Sequence, residues 1–397
     1  MDRLISFLDR LSSSTKKVNF IFFATLFLVT LVLVLDQSPH PYNNFFIYKN
    51  VYKNTILERN LYALYPEAHF DRNHYGILFS LIIAPFYYLP PFMGVMLYCM
   101  LQVVGIFWTV RHLPFTIKQQ NVMLLFLLFE LIANIQNVQT NTFVAITILL
   151  SYILIKSNKN FLASFWIVFG MFIKLYSILG AGLFFLARNK LKYLLGFILF
   201  SIFLFFAPLL ITSQNFLFQS YIDWYHELTS KNSSNLDINN LYQSISFIGI
   251  VVKVLRDPEF PVVWLMIGGI IFQLSVIIKS AFVSDFKKEI LLTSSLLLFI
   301  ILFNTGTEAS THIIGATGFV MWWVIQPNRR SIKMLCFVFA CFWLGTLSTT
   351  DLTPRFVNYE IIRKYSLKAL PYFLVWCLCV YQILSEPKII DDHEQAD

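Results

Sequence analysis

The chain has 397 residues, of which 57% are hydrophobic and only 13% charged, and its mean hydropathy is +0.66. Soluble domains carry about 25% charged residues, so this composition excludes a string of soluble domains and indicates a polytopic membrane protein. The net charge of +8 reads as Lys and Arg at membrane edges. No basic run is interleaved with aromatics, so no nucleic-acid partner is expected.

The first candidate span covers 18–35, without a charged residue and about long enough to cross a hydrocarbon core. Lys16 and Lys17 precede it and no small-residue cleavage site follows. A retained first helix with a cytoplasmic N-terminus is expected. A polar segment follows at 36–76. Within it 43–61 predicts one or two amphipathic helices on the membrane face, and YPEAHFDRNHYG (65–76) gathers Glu67, His69, Asp71, Arg72 and His74.

Apolar runs then cover 77–89, 91–110, 120–136, 140–155, 161–187, 193–212, 260–279, 289–304, 312–326, 333–349 and 370–386. With the first they predict an all-α protein of about twelve transmembrane helices in one membrane domain, 1–397. Two topologies stay open. Either every run crosses once, or 77–110 is one crossing and 161–187 is two short helices broken at Lys174-Leu175-Tyr176. Both give the same parity downstream. The basic junctions ARNKLK (187–192), KSAFVSDFKK (279–288) and PNRRSIK (328–334) then share a face with the N-terminus, as the positive-inside rule requires. The segments 36–76, 213–243, 304–311 and 350–369 share the other face. The run 245–255 is too short to span and predicts an interfacial helix within a second outer loop, 213–259. The acidic end, 387–397, reads as a cytoplasmic tail.

Several signals are missing. Cys99, Cys336, Cys341, Cys377 and Cys379 sit in apolar runs and bracket no loop, so neither disulfides nor a metal site is expected. The sequence has no phosphate-binding glycine loop and no Asp-x-Asp. An enzyme built this way would take a lipid-linked donor rather than a nucleotide sugar, and no cofactor is expected. An acid held at the bilayer boundary is partly desolvated and more basic, which suits a general base acting on a sugar hydroxyl. A solvated loop without chemistry is the plain alternative.

The order of YNNFFIYKN (42–50), LYALYP (61–66), the acid cluster and HYGILFSLIIAPFYYLP (74–90) resembles glycosyltransferase family 87. That family comprises integral-membrane C-type (GT-C) glycosyltransferases of the polyprenyl-phosphate-mannose kind. QNVQTN (136–141), FIKLYSIL (172–179), NTGTEAST (304–311), STTDLTPRF (348–356) and SLKALP (366–371) are similar to further stretches of a bacterial branch. The resemblance implies a GT-C-like fold in the bacterial plasma membrane, with the site on the periplasmic or extracellular face. It implies transfer of mannose or a similar hexose from a polyprenyl-phosphate donor to a glycan or glycolipid acceptor. The reaction would be an inverting single displacement with an acidic base. A lipid or oligosaccharide flippase and a surface-polysaccharide polymerase are the rivals. A transporter is expected to show paired broken helices in two halves, and none is visible.

The family's usual acid position falls here on Asn43 and Asn44, which cannot accept the proton. The base is therefore sought in Asp71, then Asp36, then Glu67. Substrate contacts are expected from Asn43, Asn44, His74, Tyr75, Gln139, Asn141, Lys174, Glu308, Asp351, Arg355 and Lys368. Lys174 is a charge inside an apolar run, which is functional by default, with snorkelling as its bland reading. Arg355 offers a planar fork to a phosphate, or a structural pair with Asp351. Gln139 and Asn141 also suit helix–helix contacts. Trp224 and Tyr225 suit interfacial anchoring.

Overall fold

A computed structural model describes residues 12–36, 38, 41–257, 259–281 and 285–385. The expected tail at 387–397 and His40 lie outside these. No strand occurs among the described residues, because a backbone in lipid must satisfy its hydrogen bonds within its own segment.

The α-helices are α1 (Thr15–Leu35), α2 (Asn43–Ile56), α3 (Phe79–Tyr87), α4 (Pro91–His112), α5 (Ile117–Gln136), α6 (Asn141–Lys156), α7 (Asn160–Ile173) and α8 (Lys190–Phe206). They continue with α9 (Gln214–Ser234), α10 (Phe247–Leu255), α11 (Val262–Ala281), α12 (Phe286–Leu302), α13 (His312–Val324), α14 (Ile332–Phe342) and α15 (Leu370–Ser385). A 3₁₀ helix, Leu175–Leu186, separates α7 from α8.

Five stretches are long and apolar enough to cross a membrane: Thr15–Leu35, Pro91–His112, Lys190–Leu210, Val262–Ala281 and Leu367–Ser385. Their exposed apolar side chains, such as Phe20 (73%), Phe203 (64%) and Trp264 (67%), mark a lipid-facing belt. Inside it, α12 is buried on all sides from Lys288 to Leu302, and α6 and α13 are nearly so. Helices apolar all round belong in such a core.

The run 77–89 forms no helix long enough to cross on its own. It forms only the nine residues of α3, about 13 Å. Pro85 lies inside it, and Pro90 and Pro91 stop it and start α4, since a residue before proline is pushed out of the helical region. The run 161–187 breaks at Lys174, whose backbone is extended (φ −137°, ψ 116°). The chain then doubles back. A Cβ on Gly170 would meet the Cβ of Ser177 at 3.1 Å, and one on Gly180 would meet Ile167 at 2.7 Å. The break falls where the second of the two topologies places it.

Contacts sort the helix ends into two groups. At one end Asn121 donates to the Ser12 carbonyl (2.7 Å), Arg111 to Asn19 (2.6 Å) and Gln119 to the Val324 carbonyl (2.7 Å), and Lys156 pairs with Glu289 (2.8 Å). At the other, Asn44 donates to the Asn137 carbonyl (2.7 Å), Asn141 to Ser310 (3.4 Å), Ile245 to the Thr307 carbonyl (2.7 Å) and Ser366 to the Ser244 carbonyl (3.1 Å). The loops 36–76, 213–243, 304–311 and 350–369 thus meet at one end, the loop end. The basic turns 111–118 and 156–159 fall at the opposite, basic end.

Candidate active site

The loop end is closed by the first long loop folded onto α9. Glu227, 7% exposed, pairs with His74 (3.1 Å) and Arg72 (3.4 Å). Trp224 donates its indole N–H to the His74 carbonyl (3.0 Å). Burial pushes the Glu227 carboxyl up, but the His74 bond and charge and the Arg72 charge outweigh it. The group stays below its ordinary value. His69 is buried against Asn50 (3.0 Å) and its ring bonds the Asp71 carbonyl (2.6 Å). Burial lowers its basicity, against the opposing pull of that carbonyl and of the nearby acids. Most charges of YPEAHFDRNHYG therefore tie the loop down.

Beneath this lid lies a polar cluster where three helix ends converge. Asn141, the first residue of α6, is fully buried. Its Oδ1 accepts from Lys174 Nζ (2.8 Å) and from the Tyr176 hydroxyl (3.0 Å), while its Nδ2 donates to Ser310 Oγ (3.4 Å). Lys174 Nζ lies 5.3 Å from the Tyr75 ring and 5.8 Å from the Tyr176 ring, within cation–π range. Tyr75 stacks on Phe79 and its hydroxyl joins a chain, 3.1 Å from Tyr48 and 3.1 Å from Thr140 Oγ1. Tyr48 donates onward to the Val138 carbonyl (2.8 Å). The Glu308 carboxylate accepts from Gln243 Nε2 (2.9 Å), and its charge acts on both Lys174 and Tyr176.

Behind the 308–312 turn is a buried ion pair. Lys368 and Glu130 are 2% and 1% exposed and meet at 3.2 Å. Lys368 also donates to the Ala309 carbonyl (3.2 Å), and the Tyr372 hydroxyl donates to the Gly345 carbonyl (3.3 Å). His312, wholly buried, bonds the Glu308 carbonyl through Nδ1 (3.0 Å).

Of the expected residues, Tyr75, Asn141, Lys174 and Glu308 come together, with Lys368 one turn behind. Lys368 is occupied by Glu130 and Ala309. Asn43 and Asn44 fasten α2: Asn43 Oδ1 accepts the Phe70 N–H (2.9 Å), and Asn44 donates to Asn137. Gln139 lies in the turn before α6, its N–H on the Asn134 carbonyl (3.0 Å). Asp71 is exposed, and its carboxylate accepts the Arg72 N–H (2.8 Å). Asp36 is exposed and accepts the Ser38 N–H (2.9 Å). Glu67 edges a separate hollow with Lys49, Lys53 and Tyr87. Arg355 is exposed 5.7 Å from the Tyr359 ring, and no ion pair joins it to Asp351 among the described residues.

Sequence reading missed Tyr176, Ser310, Glu227 and Glu130. Glu130 carried a usable signal, since a carboxylate inside an apolar run is rare unless it is paired or functional. Ser310 and Tyr176 carried none, because hydroxyls are common in such runs.

Long lipid-facing helices around a buried core, with charged and hydroxyl side chains converging at one end, define an integral-membrane protein with a polar site at the bilayer boundary. The sequence profile of glycosyltransferase family 87 matches residues 73–348, and the chain belongs to that family. It is a membrane-embedded glycosyltransferase. The matched region holds Tyr75, Asn141, Lys174, Tyr176, Glu308 and Ser310, whereas Asp36, Glu67 and Asp71 precede it. No match was found among curated proteins.

Proposed function

We propose that the protein moves a hexose, mannose or one like it, from a polyprenyl-phosphate carrier to a glycan or glycolipid acceptor on the outer face of a bacterial plasma membrane. The observation that carries this reading is the Lys174–Asn141–Tyr75–Glu308 cluster at the loop end, opposite the basic turns. A lipid-linked donor suits a glycosyltransferase whose sequence has no nucleotide-phosphate loop and whose polar cluster lies at the membrane boundary. Arg111, Lys118, Lys156, Lys159 and the later basic junctions sharing one end favour that end as cytoplasmic.

In this reading the acceptor hydroxyl attacks the anomeric carbon and the bond from that carbon to the phosphate oxygen breaks with inversion. The electron pair leaves on the polyprenyl phosphate and the hydroxyl proton passes to a carboxylate. Lys174 faces the leaving phosphate and stabilises its developing charge. Its ammonium has three donors, and Asn141 takes one of them. Glu308 is our choice of base, the carboxylate of the cluster, held by Gln243 (2.9 Å) in the turn that also carries Ser310. Asp71, the acid favoured by sequence, is the competing assignment.

The test is transfer from a panel of radiolabelled polyprenyl-phosphate hexoses to membrane acceptors, by purified protein in lipid, with Glu308→Gln, Asp71→Asn and Lys174→Met alongside. Loss in Glu308→Gln with activity kept in Asp71→Asn is expected. The reverse pattern moves the base to the first loop. Transfer from no donor sinks the proposal.

A further inference from the structure

A second binding feature lies at the basic end, away from the candidate site. A cavity of about 150 Å³ opens between the start of α5, the turn after α13 and α14. Lys118, Arg329 and Arg330 line it together with Val122, Trp323 and Leu335, and no acid lines it among the described residues.

Two other cations at this end are already engaged. Lys156 is held by Glu289, and Arg111 by Asn19 and Gln120. Lys118 and the Arg329 guanidinium have no side-chain partner among the described residues. The Arg329 segment is nevertheless fixed, because Trp323 donates its indole N–H to the Arg329 carbonyl (3.3 Å). Gln119 ties α5 to the end of α13. The cations thus stand on a built wall.

The flanks are apolar and face outward. Ile117, next to Lys118, is 50% exposed, and Ile332, two residues beyond Arg330, is 55% exposed. A guanidinium and an ammonium over an apolar floor, at the rim of the lipid-facing belt, match a ligand with an anionic head and a hydrocarbon body. Arg grips phosphate oxygens two at a time, and basic pockets between membrane helices bind lipid head groups. A free phosphate would use the cations but not the Trp323, Val122 and Leu335 surface or the exposed isoleucines.

We propose that this cavity holds the phosphate-bearing headgroup of an anionic membrane lipid, with Lys118 and Arg329 as its principal ligands. The site is separate from the transfer chemistry and stands whether or not the reading of the loop end holds.

The test is native mass spectrometry of the full chain incubated with phosphatidylglycerol, phosphatidylcholine or inorganic phosphate. The wild type is expected to retain phosphatidylglycerol preferentially. Binding should fall about fivefold for Lys118→Gln or Arg329→Gln and about 25-fold for the pair. Undiminished phosphatidylglycerol binding in the pair overturns the proposal. So does equal retention of phosphatidylcholine, which would make the contact merely apolar. Displacement of the lipid by inorganic phosphate would assign the cavity to a free anion instead. Should the double variant fail to purify, the two single variants decide.

Discussion

Lys174 Nζ donates to Asn141 Oδ1 at 2.8 Å, across 33 residues of sequence. The bond joins the break after α7 to the first residue of α6, and Asn141 thereby orients the lysine. Lys174→Met should lower transfer about 10²–10³-fold, the cost of losing one preorganised group at a developing charge. Asn141→Ala should cost about tenfold or more, as a bond to a charged donor is worth about 1.5–3 kcal/mol. Steady-state rates in lipid, with unchanged gel-filtration profiles, check both.

The Glu130–Lys368 pair separates a structural role from a catalytic one. Removing one partner leaves a buried charge alone and should destabilise by about 3–5 kcal/mol. Glu130→Gln with Lys368→Met together should recover a large part of that loss. Thermal unfolding in detergent for the two singles and the double closes the cycle; additive losses would mean the charges are not coupled.

Glu227 supplies an acid-side dependence. Its carboxyl is held below the ordinary 4.5, so its contribution is fully present above that pH and is lost as pH falls through the lower folded value. The 65–76 segment should become more open to proteolysis below pH about 4.5. Glu227→Gln should be open at every pH and insensitive to this window.

Lys253 on α10 supplies the alkaline counterpart. Burial pushes it down to about 8 from 10.5, against the pull of Asp237, although it donates to the Asn240 (2.8 Å) and Gln243 (3.1 Å) carbonyls. Between those two pH values the unfolded chain binds the proton that the folded one has released. Stability should therefore rise with pH across the window. A melting temperature that climbs in the wild type and stays flat in Lys253→Met is the expected result.

Much of the architecture was legible in the sequence. The runs beginning at 18, 91, 193, 260 and 370 are helices long enough to span, because a run of apolar residues in lipid has few alternatives. The doubled-back run at 161–187 was legible only as an alternative, since hydropathy does not register direction. The shortness of the helix in 77–89 was written in Pro85, Pro90 and Pro91, which hydropathy also ignores. At the site, Lys174 was legible as a lone charge in an apolar run. Tyr176 and Ser310 were not, because their roles come from helix ends that meet only after folding. The acid cluster at 65–76 drew notice by its charge density. Arg72 and His74 turn out to bind Glu227 on α9 and His69 binds within the loop, whereas Glu67 and Asp71 stay exposed.

The brevity of the inner helices bears on where water can go. At 1.5 Å per residue, α6, α7 and α13 are about 24, 21 and 20 Å long. A hydrocarbon core is about 30 Å thick. With their basic ends at one boundary, the opposite ends fall about 6–10 Å short of the other. Asn141, Lys174 and His312 sit on those ends, just inside that boundary. Under the proposed reaction, a carrier lipid would present its phosphate there without rising out of its leaflet. The same depth makes turnover sensitive to bilayer thickness, so longer acyl chains should slow the enzyme without altering its fold.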